Sequence, residues 1–174
     1  PKLSILSMAI FIFTLIPGHY FSISKPGFGF GLLPRVNQSA EFYKNRGLSG
    51  PIFNNYDIGG YLIYHLYREE KVFVDNRPES YSVEFFEDLY IPMQKQEELW
   101  HDNLEDFGFN TIYFYRHDAT PWAQPFLIER IKDPEWIPVF VDNYVLILVR
   151  NNEINQGIIE SHALPEEMFV ARPS

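Results

Sequence analysis

The chain has no cysteine, which removes disulfides, thiol nucleophiles, zinc–thiolate sites and iron–sulfur clusters together and leaves the compartment open. It is also short of positive charge: 14 Lys and Arg stand against 23 Asp and Glu, a net charge of −9. No basic stripe runs along it, which argues against nonspecific binding to DNA or RNA through phosphate neutralisation. The five histidines, His19, His65, His101, His117 and His162, fall at no metal-ligand spacing, and no metal site is expected. There is no Walker loop, no Gly-x-Ser-x-Gly elbow and no dinucleotide fingerprint, so this stretch of chain calls for no cofactor. Internal repeats and low-complexity tracts are missing too.

What is present is apolar and aromatic: 46% of the 174 residues are hydrophobic and 17% aromatic, enough for one core of ordinary size with attachments. The first attachment is residues 3–16, an uncharged run that as a helix would span about 21 Å at ~1.5 Å per residue, short of the ~30 Å hydrocarbon layer. It reads as the end of a transmembrane helix (1–16), ahead of two alternatives, a signal-peptide apolar region and a buried soluble helix. Pro1 in place of Met and the lack of a small-x-small cleavage pattern favour the first. Pro17-Gly18 stops the helix, and His19-Tyr20-Phe21 suits an interfacial aromatic belt. Residues 17–36, rich in Gly, Pro and Phe, read as a linker.

Residues 37–150 read as a soluble α/β domain. The pattern predicts a helix over 37–45 stopped by Gly47, a strand at 51–54, a helix over 58–67 with Asp57 as its N-cap, and a strand at 71–75. Helices follow over 82–91, with Ser82 as cap, and 97–107, with Gly108 as C-terminal stop. A third strand occupies 111–115, and Thr120-Pro121 opens a helix over 122–132. Residues 136–141 and 144–150 flank Asp142-Asn143, a two-residue turn of a β-hairpin. Its second arm is apolar on both faces and should be central, whereas Pro138 suits an edge. The expected architecture is a three-layer α/β sandwich with a mixed, mainly parallel sheet ending in a C-terminal hairpin. Residues 151–174 read as a loosely packed tail.

The chemistry gathers at strand ends. The first strand ends in Asn54, Asn55, Tyr56 and Asp57, the second in Asp75, Asn76, Arg77 and Glu79, the third in Arg116, His117 and Asp118. Right-handed crossovers put the carboxyl ends of parallel strands on one side, where α/β domains bind ligands. Asn54, Tyr56, Asp57, Asp75 and Arg77 are therefore the candidate substrate-binding residues, with no catalytic residue among them. Each also has a structural reading: Asp57 as a helix cap, Asp75 with Arg77 as a loop-organising salt bridge, and Gly59-Gly60 as a close approach, either of helix to strand, which is favoured, or of an anion to exposed N–H groups. Asp57 and Asp75 as a glycosidase-like acid/base pair is a further idea, but nothing fixes their distance. Glu84, Glu87, Asp88, Glu97, Glu98, Asp102 and Glu105 read as solvated helix faces.

Gly50-Pro51-Ile52-Phe53-Asn54 with Tyr56-Asp57 and Gly59-Gly60-Tyr61-Leu62-Ile63, then Lys71-Val72-Phe73-Val74-Asp75 with Arg77 and Tyr81, resemble the carboxyl-terminal soluble domain of bacterial multi-spanning membrane proteins that look like GT-C glycosyltransferases. The resemblance runs from Ala40 to Arg150. It departs at Ile58, where that family has Trp, and at Asn76, where it has Gly. Asn55-Tyr56-Asp57-Ile58-Gly59 and Asp75-Asn76 are more distantly similar to the soluble domain of the oligosaccharyltransferase catalytic subunit, without the tryptophans of its acceptor-binding block. These resemblances imply an extracytoplasmic domain whose rim faces an acceptor, a glycan or a peptide. The donor would be a lipid-linked sugar, and the catalytic aspartate would lie in membrane loops outside this chain, leaving the fragment inactive alone. Implied partners are the membrane and the protein's own upstream membrane helices. Orientation rests on the resemblance, with Lys2 a slight positive-inside hint. Two readings compete: a non-enzymatic structural or interaction module, and a soluble secreted enzyme with a cleaved signal.

Overall fold

The computed structural model describes residues 36–169. The apolar segment expected over 1–16 and all but the end of the linker expected over 17–36 lie outside them. The compact α/β unit begins at Asn37.

The first helix, α1 (Gln38–Asn45), buries Ala40 and Tyr43 and ends at Gly47, whose φ of 66° takes the chain through the left-handed region. Leu48 then donates its N–H to the Tyr43 carbonyl and Gly47 to that of Lys44, the paired bonds of a Schellman stop. The fully buried strand β1 (Ile52–Asn54) comes next. Asp57 does not cap the helix that follows. It lies inside a 3-10 turn, Tyr56–Ile58, which runs into α2 (Gly59–Leu66). The N–H of Gly60 is met instead from across the chain, by Asn76 Oδ1 at 2.9 Å.

The predicted strand at 71–75 shrinks to a single parallel bridge, Val72 with Ile52. Beyond it, the Asn54 amide and the Tyr81 hydroxyl satisfy the backbone. A longer helical stretch than expected follows. A π-helical segment, Phe85–Tyr90, leads into α3 (Ile91–Lys95), so the helix continues through Pro92 where a stop was predicted. Proline removes one N–H donor and crowds the carbonyl four residues back, and a widened π turn relieves that crowding. Next come α4 (Glu97–Phe107), ended by Gly108 at φ 60°, β2 (Thr111–Tyr115) and α5 (Ala123–Lys132). The last strands are β3 (Trp136–Val141) and β4 (Val145–Arg150).

The sheet is mixed, in the order β1-β2-β4-β3. It is not mainly parallel: β1 and β2 pair parallel, while β4 pairs antiparallel with both β2 and β3. A tight turn brings β4 back alongside β3, and because β4 fills the place beside β2 it runs against both neighbours. Its central position suits its apolar sequence. Pro138 lies in edge strand β3, next to a register irregularity. The turn is centred one residue later than predicted. Asp142 already pairs through its N–H with the Val145 carbonyl, and its Oδ1 accepts the N–H groups of Tyr144 and Val145. Neither Asp142 nor Asn143 needs positive φ.

Alternation along the strands builds two cores. Phe53, Ile112, Phe114, Leu146 and Leu148 join Trp100 and Leu104 of α4 and Phe126 of α5 in one cluster. Ile52, Tyr113, Val145, Ile147 and Val149 join Tyr43 of α1 and Leu62 and Leu66 of α2 in the other. Successive strand side chains point to opposite faces, so the two clusters lie on opposite faces of the sheet. The tail is not loose over its described part. Helix α6 (Gln156–His162) packs Ile158 and Ile159 against the second core, and Leu164 donates its N–H to the Pro138 carbonyl.

Candidate functional site

At the end of β1 two asparagines work in opposite directions. Asn54 is wholly buried; its Nδ2 donates to the carbonyls of Asn55 (2.9 Å) and Val74 (2.7 Å), and its Oδ1 accepts from the N–H of Phe73 (2.9 Å) and, more weakly, Val74 (3.5 Å). The amide thus replaces the ladder that the 71–75 segment lacks, and its donors and acceptor are fully used. Asn55, also buried, faces β2: its Oδ1 accepts the Tyr115 N–H at 2.9 Å, and its Nδ2 donates to Asp118 Oδ2 at 2.9 Å. Asn54 is therefore a clasp inside the domain and presents nothing to a ligand.

Asp75 is a second internal anchor. Its Oδ1 accepts the Arg77 backbone N–H (3.0 Å) and Nε (2.9 Å), and its Oδ2 accepts Arg77 Nη2 (2.6 Å) and the Tyr81 hydroxyl (3.2 Å). Tyr81 in turn accepts the Asp75 N–H at 3.0 Å. The Arg77 hydrogen bonds hold the Asp75 carboxyl below its usual range, against the effect of burial. Arg77 itself stays 62% exposed at its side chain, with its fork committed to Asp75. Gly59 is why this loop can lie so close to α2. A Cβ there would sit 2.2 Å from the Val74 carbonyl oxygen and 2.4 Å from Asp75 Cα, so at Gly59 the packing reading is the one realised.

A cleft of about 250 Å³ opens beside these anchors. Tyr56, Phe86, Tyr90 and Trp122 line it together with the carboxylates Asp57 and Asp118, and Pro78, Ile91 and Thr120 complete it. The Tyr90 hydroxyl accepts the Tyr56 N–H at 2.9 Å, which ties the helical wall to the end of β1. Asp118 is buried and held by three donors: Asn55 Nδ2, the Thr120 N–H (2.9 Å) and the Thr120 hydroxyl (2.7 Å). Asp57 is exposed, and its carboxylate makes no hydrogen bond or ion pair with another described residue. Partial desolvation and the nearby Asp118 charge raise its pKa.

Of the five residues expected at the rim, only Tyr56 and Asp57 reach this cleft. Asn54 and Asp75 are buried beneath it, and Arg77 points to Asp75. Arg116 and His117 turn away to the Asp142 and Asn143 carbonyls. The other walls come from residues with no such sequence signal. Phe86 and Tyr90 look like ordinary apolar positions of a helix, and Trp122 like the start of another. Only Asp118, at the end of β2, was legible as a strand-end acid. A wider groove of about 650 Å³ lies next to the cleft, with Trp122 as shared wall and Gln94, Pro121 and Pro125 in its lining. Among the described residues no group of three or more acidic or histidine side chains could hold a metal ion, and no helix is long and apolar enough to cross a membrane.

Comparison of the chain with models of protein families, with curated proteins and with solved structures finds no match.

Proposed function

We propose that this unit is the acceptor-side, non-catalytic domain of a multi-spanning membrane protein of lipid-linked-sugar glycosyltransferase type, held on the extracytoplasmic face. In this reading the unit is a three-layer sandwich closed by the β3–β4 hairpin, and the aromatic and acidic cleft receives part of a glycan or peptide acceptor. The observation that carries the reading is the cleft itself, at the carboxyl ends of β1 and β2, where rings that can cover an apolar ligand face stand beside carboxylates that accept hydrogen bonds. Asn54 and Asp75 act beneath the rim, and the exposed Arg77 pairs with Asp75 to fix the loop that carries Pro78. The motifs from Gly50 to Tyr81 supply the link to membrane glycosyltransferases.

Titrating the chain with oligosaccharides and acceptor peptides, followed by NMR, tests the cleft. Shifts at Tyr56 and Trp122 that Asp57→Ala and Trp122→Ala abolish, while both variants stay folded, are the expected result. Binding insensitive to both would overturn the assignment. The coding sequence upstream tests the membrane context: several spans with an acidic residue in the first outer loop are expected, and a start codon immediately before Pro1 would defeat it. One observation favours a second reading, a structural module that locks onto its own membrane helices. Asn54, Asp75 and Tyr81, three of the motif residues, are spent wholly on internal bonds.

A further inference from the structure

We infer that the cleft selects a ligand carrying an alkylammonium group, such as the protonated amine of an amino sugar or a lysine-like side chain, seated among Tyr56, Phe86, Tyr90 and Trp122 and facing Asp57 and Asp118. The inference rests on the cleft being a binding site, as proposed above, and names the group it reads.

The first argument is charge. Two carboxylates line a space of about 250 Å³, and no Lys, Arg or His lines it. Two cations close in sequence to lining residues are already engaged: Arg77, beside Pro78, is forked onto Asp75, and Arg116, two residues before Asp118, donates to the Asp142 carbonyl. The Asp57 carboxylate has no hydrogen-bond or ion-pair partner among the described residues, and both its partial desolvation and the Asp118 charge work against its ionised form. An incoming cation would offset both by favouring the ionised carboxylate.

The second argument separates a cation from a neutral polyol. A neutral hydroxyl reads hydrogen-bonding capacity, and most of that of Asp118 is taken: Asn55 Nδ2 holds one oxygen, and the Thr120 N–H and hydroxyl hold the other. A carboxylate has about four acceptor positions, of which three are filled here, so what Asp118 still offers is mainly its charge. Those same bonds fix its position before any ligand arrives, so little ordering is needed on binding.

The third argument is ring geometry. Tyr56 and Phe86 stand with centroids 6.0 Å apart at 69°, and Phe86 and Tyr90 5.9 Å apart at 90°. Such crossed rings form walls at steep angles to one another, and Trp122, the side chain with the strongest cation-attracting face, lines the cleft as well. Aromatic walls beside carboxylates are the arrangement that holds alkylammonium groups.

The test uses the whole chain and matched pairs of probes: glucosamine against glucose, and choline against its neutral isostere 3,3-dimethyl-1-butanol, read by tryptophan fluorescence and by NMR shifts of the Trp122 indole. The cation of each pair should bind at least about tenfold more tightly, within the range expected for a partly desolvated cation–π site. Asp57→Asn, at an exposed position, should remove most of that preference in a chain that stays folded. If glucose and glucosamine bind equally and choline no better than its isostere, the ammonium inference is overturned while the acceptor reading stands. If none of the four probes, nor any oligosaccharide or peptide, perturbs the cleft, both fail.

Discussion

Asn54 and Asp57 sit three residues apart and do opposite work. Asn54 is buried with its amide saturated, so removing it leaves the Phe73 N–H and the Val74 carbonyl without their partner. Asn54→Leu should cost ~2–4 kcal/mol, the toll of orphaned buried polar groups, read as a fall in the urea midpoint. Asp57 and Asp75 should respond to pH with opposite signs. The Asp75 pKa is lowered by Arg77, so the stability it contributes is present above the ordinary carboxylate pKa near 3.8 and is lost as pH falls through its lower folded value. The Asp57 pKa is raised, so its ionised form works against folding once pH rises through its folded value. Asp57→Asn should therefore stabilise the chain at neutral pH, an advantage that vanishes on acidification. Asp75→Asn should destabilise it at neutral pH and flatten the acid limb, both visible in thermal melts run across pH.

At the scale of elements, the meeting of α2 with the 72–77 segment decides how the site is held. Gly59 and Gly60 look alike in the sequence, but their surroundings differ. At Gly59 a methyl group would strike backbone, the Val74 carbonyl and Asp75 Cα, which cannot move without opening the clasp. At Gly60 it would meet only the end of the Asn76 side chain, at 2.9 Å. Gly59→Ala should cost more than ~3 kcal/mol by overpacking and backbone displacement. Gly60→Ala should lie within ~1 kcal/mol of neutral, its gain in helix propensity offsetting the disturbed Asn76 contact. Equal losses at the two positions in chemical denaturation would refute this picture of the interface. The same junction explains why the 71–75 strand was overestimated. Its alternation of apolar residues was readable, but the pairing past Val72 was taken over by one asparagine amide and one tyrosine hydroxyl, and sequence period carries no record of such a substitution.

For the molecule as a whole, the two cores share one sheet, and the segment after β4 completes the second. Asn155, buried, donates to Asn110 Oδ1 at 2.9 Å and to the Arg150 carbonyl at 2.8 Å, joining the tail to the start of β2 and the end of β4. Asn155→Ala should cost ~1–3 kcal/mol through the unpaired groups it leaves. Amide exchange should then rise first in α6, because its packing depends on that anchor.

Periodicity and end signals were enough to place α1, α4, α5, β2 and β4, because each carries its own pattern: apolar residues on one stripe, a Gly47 or Gly108 stop, or a run apolar on both faces. They also marked the polar ends of the strands, including Asp57 and Asp118. Tertiary structure alone decided which of those polar groups face inward. Asn54 is drawn under the rim because the unpaired backbone of Phe73 and Val74 needs its amide, and Asp75 because Arg77 and Tyr81 supply donors to its carboxylate there. It also decided the cleft, since Phe86, Tyr90 and Trp122 stand 30 to 66 residues after Tyr56 and meet it only when the π-helical segment and the start of α5 pack over the ends of β1 and β2. Local spacing specifies which face of an element is apolar. Which elements meet, and what space they leave between them, is set by packing over distances that no local pattern spans.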